Sequence, residues 1–339
     1  MAEWLCSGLQ LRVHRFDSVL SLHFMKIIVT GSSGFIGFHL TKKLLSLGHE
    51  VIGVDDHNDY YDIKLKELRS STLKNARFRL INQDINSLDF DASKVDLAIN
   101  LAAQAGIRVE ERKRYLYKHS NIDGFENFCS FCLKNNIKKI IYASSSAVYS
   151  DKGHGKFIEG VTPLEPKSEY GKSKLMNENY ASYLSSQSEI KFIGLRFFSV
   201  YGPYGRPDMA YFLFSEALRK EKVITLNNNG RNQRDMTYID DIIAGIISSI
   251  NLIFSKREHP QHQIINLGND KPISSLFLLK TIEKKLSKKA ILNHQKTYNE
   301  SLYTHADMSK ARELLGYAPG VNFEEGISNF LNWYLSYEK

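Results

Sequence analysis

The sequence predicts an α/β fold with a doubly wound parallel sheet and a smaller C-terminal lobe of mixed α/β structure. Short apolar runs typical of buried strands alternate with amphipathic helical patterns over roughly the first 200 residues. A glycine-rich turn joins the first strand to the first helix. Beyond residue 200 the alternation becomes irregular, which indicates a separate lobe.

The first strand is predicted over residues 26–30 (KIIVT), and a helix follows over 35–47, with Ile36, Leu40 and Leu44 on one face. Further strand-like runs occupy residues 51–55, 78–81, 95–100, 137–143 and 191–198. A strand over 264–268 is expected to return to the sheet or to its edge. An amphipathic helix over 323–337 ends the chain.

Composition excludes several classes of protein. Of 339 residues, 42% are hydrophobic and 24% are charged, as is ordinary for a globular protein and not for a fibrous or disordered one. No apolar run approaches 18 residues, so no membrane span is expected. The formal net charge is +8, but the basic residues are scattered and do not form the stripe with interleaved aromatic residues that would indicate nucleic-acid binding.

Two segments are expected to carry no chemistry. Residues 1–24 lack the features of a secretory signal peptide, and an apolar strand begins directly after Met25, so we expect a dispensable extension. Cys129 and Cys132 form a C-x-x-C without a second ligand pair, on an apolar helical face. They are therefore predicted to be core thiols and not metal ligands, in a reducing, cytoplasmic location.

The glycine-rich turn predicts a dinucleotide site. Gly31, Gly34 and Gly37 allow a tight turn and leave the N-terminus of the helix open to a pyrophosphate. Asp55 ends the second strand, 18 residues after Gly37, where a carboxylate binds both ribose hydroxyls and repels a 2′-phosphate. This favours NAD over NADP. Asp84, after the third strand, is expected near the adenine.

A second constellation predicts acid–base chemistry. Tyr170 and Lys174 are four residues apart, so they share a face if this segment is helical. The ammonium group is expected to lower the phenol pKa, which makes Tyr170 a candidate general base. A second Tyr-x-x-x-Lys, Tyr60 and Lys64, follows the ribose-binding strand and is expected at the adenosine end, far from the reacting ring. The serines 144–146 end the fifth strand, at the edge that faces the ligand.

These residues resemble the extended short-chain dehydrogenase/reductase family, whose fold is the Rossmann fold, and within it the nucleotide-sugar epimerases. Several segments are similar to UDP-glucuronate 4-epimerases: 29–40 (VTGSSGFIGFHL), 57–69 (HNDYYDIKLKELR), 100–108 (NLAAQAGIR), 196–210 (RFFSVYGPYGRPDMA) and 234–242 (RDMTYIDDI). The NDYYD and GRPDMA segments are the most specific of them. The resemblance covers residues 25 to about 337.

The resemblance implies site residues. The catalytic group would be Tyr170 as base, Lys174 on the nicotinamide ribose, and Ser145 on the 4-oxygen of the sugar. Ser146, Ser199 and Arg206 would face the sugar, and Arg234 would bind the diphosphate. The NAD contacts would be Gly31, Gly34, Phe35, Ile36, Gly37, Asp55, Asp84, Ile85, Ala102, Asn121 and Lys174. No metal is expected.

Three positions depart from the family pattern. Ala147 and Ser199 stand where the family often has serine and threonine near the substrate carboxylate, and Asn100 stands where histidine is commoner. The first two changes bear on the affinity for a glucuronate.

The resemblance implies oxidation at C4, a transient 4-keto sugar and reduction from the opposite face. Residues 25–200 would bind NAD, with segments near 235–268 returning to that domain, and 201–339 would mainly bind the UDP-sugar. A homodimer through helices near 105–135 and 170–187 is expected.

Four alternatives stay open. The nearest is a UDP-glucose/UDP-galactose or N-acetylhexosamine 4-epimerase. A UDP-glucuronate decarboxylase and a 4,6-dehydratase are disfavoured, because Ser146 and Ala147 stand where those enzymes carry acidic residues. A non-catalytic NAD-binding sensor or scaffold would be expected to lack Tyr170, Lys174 or Ser145, all of which are present.

Overall fold

The computed structural model describes residues 24–107, 109–150, 155–297 and 302–338. The extension expected over residues 1–24 lies outside the described residues except for Phe24, as does Cys6.

The strands and helices occur in the following bounds. The strands are β1 Lys26–Thr30, β2 Glu50–Val54, β3 Phe78–Ile81, β4 Leu97–Asn100, β5 Lys139–Ser145, β6 Lys191–Phe197, β7 Ser199–Tyr201, β8 Val223–Asn227, β9 Gln233–Tyr238, β10 His262–Leu267, β11 Pro272–Ser274 and β12 Ile291–Gln295. The α-helices are α1 Phe35–Ser46, α2 Ile63–Thr72, α3 Gly124–Lys134, α4 Glu169–Gln187, α5 Ala210–Arg219, α6 Ile239–Phe254, α7 Ser275–Leu286, α8 Ser309–Leu315 and α9 Phe323–Tyr337. A π-helical segment, Tyr117–Asp123, leads into α3, and short 3₁₀ turns cover Ile85–Ser87, Glu111–Lys113, Ser146–Val148 and Asn228–Gly230.

Seven parallel strands form the central sheet, in the order β10-β6-β5-β4-β1-β2-β3. The chain order reverses between β1 and β4, which is where ligands bind in doubly wound sheets. The predicted fold class is confirmed, and the structure also places β10 beside β6 at the edge of this sheet.

Alternation of side chains along the strands gives the sheet two apolar faces. Ile27 and Val29 of β1 point into a core with α1 and α6, whereas Ile28 points into a second core with α3 and α4. Cys129 and Cys132 are fully buried free thiols in that second core, so their predicted place in the core is confirmed.

The C-terminal lobe contains two small sheets. The strands β7 and β9 are parallel, β11 adds to β9 antiparallel, and β12 pairs with β8. Asp235 of β9 is fully buried and accepts the backbone N–H groups of Asn269, Asp270 and Ala306. This carboxylate therefore ties the lobe to the end of the central sheet. Over the described ranges, no helix has the length and apolar character to cross a membrane.

A buried ion pair lies behind the functional edge of β5. Arg196 donates to both carboxylate oxygens of Glu178, at 2.8 and 2.6 Å, and Ser144 donates to one of them. The two charged side chains are 3% and 5% exposed. The guanidinium also lies 4.6 Å from the centroid of the Tyr149 ring. The pair fixes β5, β6 and α4 relative to one another.

We expect Glu178→Gln to destabilise the fold by about 3–5 kcal/mol, because it leaves the buried charge of Arg196 uncompensated. Urea unfolding of the purified protein measures this. Glu189→Gln is the matched control, since Glu189 pairs with Lys138 on the surface and its loss should not change the midpoint. Equal unfolding midpoints for both variants would show that loss of the buried pair destabilises the fold no more than loss of the surface pair.

Candidate functional site

A cleft of about 1790 Å³ lies along the carboxyl ends of the central strands and extends into the C-terminal lobe. Residues from both halves of the chain line it. All but one of the predicted site residues line this cleft: Gly31, Gly34, Phe35, Ile36, Gly37, Asp55, Asp84, Ile85, Ala102, Ser145, Ser146, Tyr170, Lys174, Ser199, Arg206 and Arg234.

The glycine-rich turn has the geometry that a dinucleotide needs. Gly31 has φ +68°, and a Cβ there would lie 2.8 Å from the backbone nitrogen of Ala102. At Gly37 a Cβ would overlap the carbonyl oxygen of Gly31. Within the described chain, α1 has no side-chain cap and no acidic residue in its first turn. Its free N–H groups therefore fit a pyrophosphate.

Asp55 follows β2 and is 8% exposed. Its carboxylate accepts the backbone N–H of Ser33 in the glycine-rich turn at 3.0 Å and that of His57 at 3.0 Å. A carboxylate has acceptor capacity for about four hydrogen bonds, so it retains positions for ribose hydroxyls. The residues at this end of the cleft fit NAD.

Asp84 lies at the start of a 3₁₀ turn after β3. It accepts the N–H of Asn86 and contacts Nε2 of His119 at 2.8 Å. Burial acts to raise the pKa of Asp84, but hydrogen bonds from Asn86 and His119 outweigh it and the pKa is lowered. His119 was not predicted, and it holds the Asp84 carboxylate at the wall of the cleft.

Asn121 is the one predicted site residue that does not line the cleft. It is 1% exposed, and its side chain accepts the N–H of Gln104 and donates to Ser173. Gln104 itself lines the cleft. Asn121 therefore supports the wall of the cleft from behind, and its contact with NAD stays a prediction.

The residues predicted to be catalytic come together at one place. A hydrogen bond from Ser145 reaches Tyr170, and Nζ of Lys174 lies 5.9 Å from the centroid of the Tyr170 ring. Lys174 is 3% exposed and donates to the carbonyl of Ala143 at 3.0 Å. Helix α4 places Tyr170 and Lys174 on one face, as their spacing predicts.

Burial controls the pKa values of both groups at this place. Burial raises the pKa of Tyr170 above that of an ordinary phenol, although Arg206 and the hydrogen bond from Ser145 act to lower it. Burial also lowers the pKa of Lys174 to about 8. Lys174 is not among the groups that act on the pKa of Tyr170, and burial outweighs the groups that lower it. The lowering of the phenol pKa by Lys174 together with bound NAD stays a prediction.

Arg206 has a partner that the sequence analysis missed. Its Nε and Nη2 form a two-pronged ion pair with Asp208, and the hydroxyl of Tyr60 donates to the same carboxylate at 3.1 Å. Gly106 has φ +88°, and a Cβ there would lie within 3.5 Å of atoms of all three side chains. The backbone oxygen of Gly106 accepts from Tyr117, whose ring centroid lies 6.4 Å from that of Tyr170.

The placement of Tyr60 at the adenosine end is therefore wrong. Tyr60 lies beside Arg206, whose charge acts on Tyr170, whereas Lys64 is exposed outside the cleft. The signal was present in the sequence, because NDYYD contains Tyr60 and GRPDMA contains Arg206 and Asp208. These two most specific segments of the resemblance meet in space.

The structure shows the surroundings of the three residues that depart from the family pattern. Asn100 is buried at the end of β4 and accepts a hydrogen bond from Thr30. The backbone N–H of Ala147 donates to the Ser145 hydroxyl at 3.1 Å. Ser199 begins β7, and both Ala147 and Ser199 line the cleft.

Arg69 joins the two ends of the cleft from beneath. This guanidinium is 0% exposed and donates to the carbonyls of Ser33, Tyr204 and Gly205. It also donates to the Tyr61 hydroxyl. Ser33 belongs to the glycine-rich turn, and Gly205 directly precedes Arg206. One side chain thus sets the position of both loops.

No group of three or more His, Cys, Asp or Glu that could hold a metal ion occurs in the part of the chain that the structure describes.

Residues 27–268 match the NAD dependent epimerase/dehydratase family. An uncharacterised protein of Methanocaldococcus jannaschii is 41% identical, over 93% of this chain and 97% of its own length. The UDP-glucuronate 4-epimerase 4 of Arabidopsis thaliana is 37% identical, over 92% of this chain and 75% of its own. Among solved structures, UDP-glucuronic acid 4-epimerase from Bacillus cereus in complex with UDP-glucuronic acid and NAD is 33% identical, with a TM-score of 0.85 over 92% of this chain and 100% of that one.

We expect Asp55→Ala to weaken NAD binding at least about tenfold, because each charge-assisted hydrogen bond to the carboxylate contributes about 1.5–3 kcal/mol. Titration calorimetry measures the affinity for NAD, and the affinity for UDP is measured in the same way for comparison. Glu50→Gln, at the other end of β2, is the control and should bind NAD normally. Equal affinity of the Asp55 variant and the wild type for NAD would contradict the assignment.

Proposed function

Because the chain belongs to the NAD dependent epimerase/dehydratase family, we propose that it is an NAD-dependent 4-epimerase of UDP-sugars, and that its substrate is UDP-glucuronate, converted to UDP-galacturonate. The observation that carries this proposal is the meeting of three features in one cleft: the glycine-rich turn, the Ser145–Tyr170–Lys174 group and Arg206. The similarity to enzymes named UDP-glucuronate 4-epimerases supports the choice of sugar.

NAD, when bound, supplies a hydride acceptor at the sugar's C4, and the same hydride restores the sugar, so the reaction has no net redox change. The turn at Gly31–Gly37, Asp55 and Asp84 would hold the adenosine and pyrophosphate part. Lys174 would hold the nicotinamide ribose. Its pKa of about 8 keeps most of the ammonium charged at neutral pH.

Tyr170 accepts the proton of the C4 hydroxyl in this proposal, and Ser145 orients that hydroxyl. The raised pKa of Tyr170 means that its phenolate must be stabilised when the ligands are in place. Arg206, which already acts in that direction, is one source of positive charge. Exclusion of water from the half-buried phenol strengthens each of these interactions.

The proposed intermediate, a 4-keto glucuronate, is a β-keto acid and loses CO₂ when the bond from C5 to the carboxylate lies perpendicular to the carbonyl plane. An epimerase must hold the carboxylate out of that alignment. Arg206, Ser199, Ser145 and Ser146 are the polar groups available for this. Ala147 supplies no acidic group, which disfavours the decarboxylase alternative.

A neutral UDP-hexose is the second candidate substrate, and one observation favours it. Asp208 neutralises the guanidinium of Arg206 by a two-pronged ion pair, which reduces the attraction for a substrate carboxylate. A comparison of the turnover of UDP-glucuronate with that of UDP-glucose therefore decides between the two candidate substrates.

The proposal includes a homodimer in a reducing, cytoplasmic location. Leu133 on α3 and Met176 and Tyr183 on α4 are exposed apolar side chains, and Met176 and Tyr183 are seven residues apart on one helical face. These are the helices through which the dimer is expected. The free thiols of Cys129 and Cys132 fit a reducing compartment.

Tyr170→Phe should lower kcat by at least about 10²-fold, as is typical for loss of a general base, because only the proton-accepting oxygen is removed. NAD and UDP should still bind. Tyr183→Phe, on the exposed part of the same helix, is the control. A Tyr170→Phe enzyme that keeps most of its activity would remove Tyr170 from this role.

Arg206→Ala should reduce turnover of UDP-glucuronate far more than that of UDP-glucose, and should raise the formation of UDP-pentose, since a guanidinium orients a carboxylate through charge-assisted hydrogen bonds. NMR identification of the products from both substrates measures this. Arg206→Lys keeps the positive charge but lacks the planar guanidinium, so its turnover of UDP-glucuronate should lie between those of the wild type and Arg206→Ala. Preference of the wild type for UDP-glucose, or equal loss on both substrates, would favour the neutral-hexose epimerase instead.

A further inference from the structure

In the structure, Arg206 already has Asp208 as its partner. Asp208 occupies the edge of the guanidinium formed by Nε and Nη2, so the N–H groups of Nη1 and the second N–H of Nη2 are the donors that remain for other partners. The Arg206 and Asp208 side chains are 21% and 31% exposed. A pair with this exposure is partly desolvated, and its net charge is zero.

Tyr60 also holds Asp208, through the same carboxylate oxygen that Nη2 of Arg206 contacts. Its hydroxyl donates to Oδ2. A Cβ at Gly106 would lie 2.5 Å from that hydroxyl, 3.3 Å from Oδ2 and 3.5 Å from Nη2 of Arg206, so only glycine leaves room for the three groups. Burial raises the pKa of the Tyr60 phenol, so it remains a donor at all physiological pH values. The carboxylate is therefore oriented by Tyr60 and by Arg206 together.

A 4-epimerase with one base has a geometric requirement. Tyr170 is the phenol that meets Ser145 in the cleft, so both faces of C4 must be presented to the same side of the site in turn. The sugar ring must therefore reorient while the UDP part stays bound. A second two-pronged ion pair, between the sugar's carboxylate and a free Arg206, would hold the ring in one of its two orientations.

We propose that Asp208 is a positioning residue that keeps Arg206 in a neutral pair. The substrate's carboxylate then interacts only with the remaining N–H groups of Arg206 and does not form a second two-pronged ion pair that would hold the ring in one orientation. Tyr60 acts through Asp208 in the same way. This inference rests on the proposed function, since it concerns the carboxylate of UDP-glucuronate. It assigns the NDYYD and GRPDMA segments one shared task, which is to weaken ground-state binding of the carboxylate in favour of turnover.

The test separates binding from turnover. Asp208→Asn removes the charge that competes for Arg206, so we expect both KM and kcat for UDP-glucuronate to fall by about tenfold, the effect of one charge-assisted hydrogen bond. The kinetic constants for UDP-glucose should not change. Asp59→Asn is the matched control, because Asp59 adjoins Tyr60, pairs with Lys113 and carries the same charge; its kinetics should match the wild type.

Two further variants keep the test decisive. Tyr60→Phe retains the ring and removes the hydrogen bond to Asp208, so it should shift KM and kcat in the same directions by a smaller factor, even if Asp208→Asn does not fold. In a Tyr170→Phe background without turnover, calorimetry should show that Asp208→Asn tightens UDP-glucuronate and leaves UDP-glucose unchanged.

The outcomes distinguish a failure of the proposed function from a failure of the role proposed for Asp208. A wild-type enzyme that does not epimerise UDP-glucuronate overturns the proposed function. A wild-type enzyme that does so, while Asp208→Asn and Tyr60→Phe raise KM or leave it unchanged, overturns the role of Asp208 alone. In that case Asp208 would orient Arg206 for direct binding of the carboxylate.

Discussion

The buried guanidinium of Arg69 is the interaction on which the geometry of the cleft depends. Its five described hydrogen bonds run to neutral oxygens. Four of these bonds go to three backbone carbonyls, those of Ser33 in the glycine-rich turn and of Tyr204 and Gly205 in the loop before Arg206. A buried charge is costly unless its donors are satisfied. The two loops are therefore held at the distance that one guanidinium can span, which couples the end of the cleft proposed for the cofactor to the end proposed for the sugar.

Desolvation is the second constraint on the site. It raises the pKa of Tyr170 and lowers that of Lys174, so each group is held toward its neutral form. Arg206 acts to lower the pKa of Tyr170. In the proposed reaction, positive charge from bound NAD would add to this effect, so proton abstraction would depend on a filled site. Behind this group, the Glu178–Arg196 pair fixes the strand that carries Ser145. The site is thus supported by one buried ion pair below it and contains another, Arg206–Asp208, at its edge.

The two ion pairs have different consequences because their burial differs. Glu178 and Arg196 are almost fully enclosed, and they serve packing between β5, β6 and α4. Arg206 and Asp208 are partly open to the cleft, so a ligand can compete for either partner. A carboxylate that already occupies a guanidinium weakens the attraction for a second one. In the proposed function, this end of the cleft would combine recognition of an anion with freedom for the ring to move, as a reversible inversion at C4 requires.

Strand and helix periodicity by itself predicted the doubly wound sheet, because this pattern is local along the chain. For the same reason, local spacing predicted two groups that line the cleft: Gly31, Gly34 and Gly37, and Tyr170 with Lys174. Three features needed the tertiary structure. Tyr60 meets Asp208 across 148 residues, the buried side chain of Asn121 accepts the backbone N–H of Gln104, and burial raises the pKa of Tyr170. Contacts between distant segments and the desolvation of a side chain depend on how the loops pack over the sheet, and no periodicity or spacing in the sequence encodes that directly.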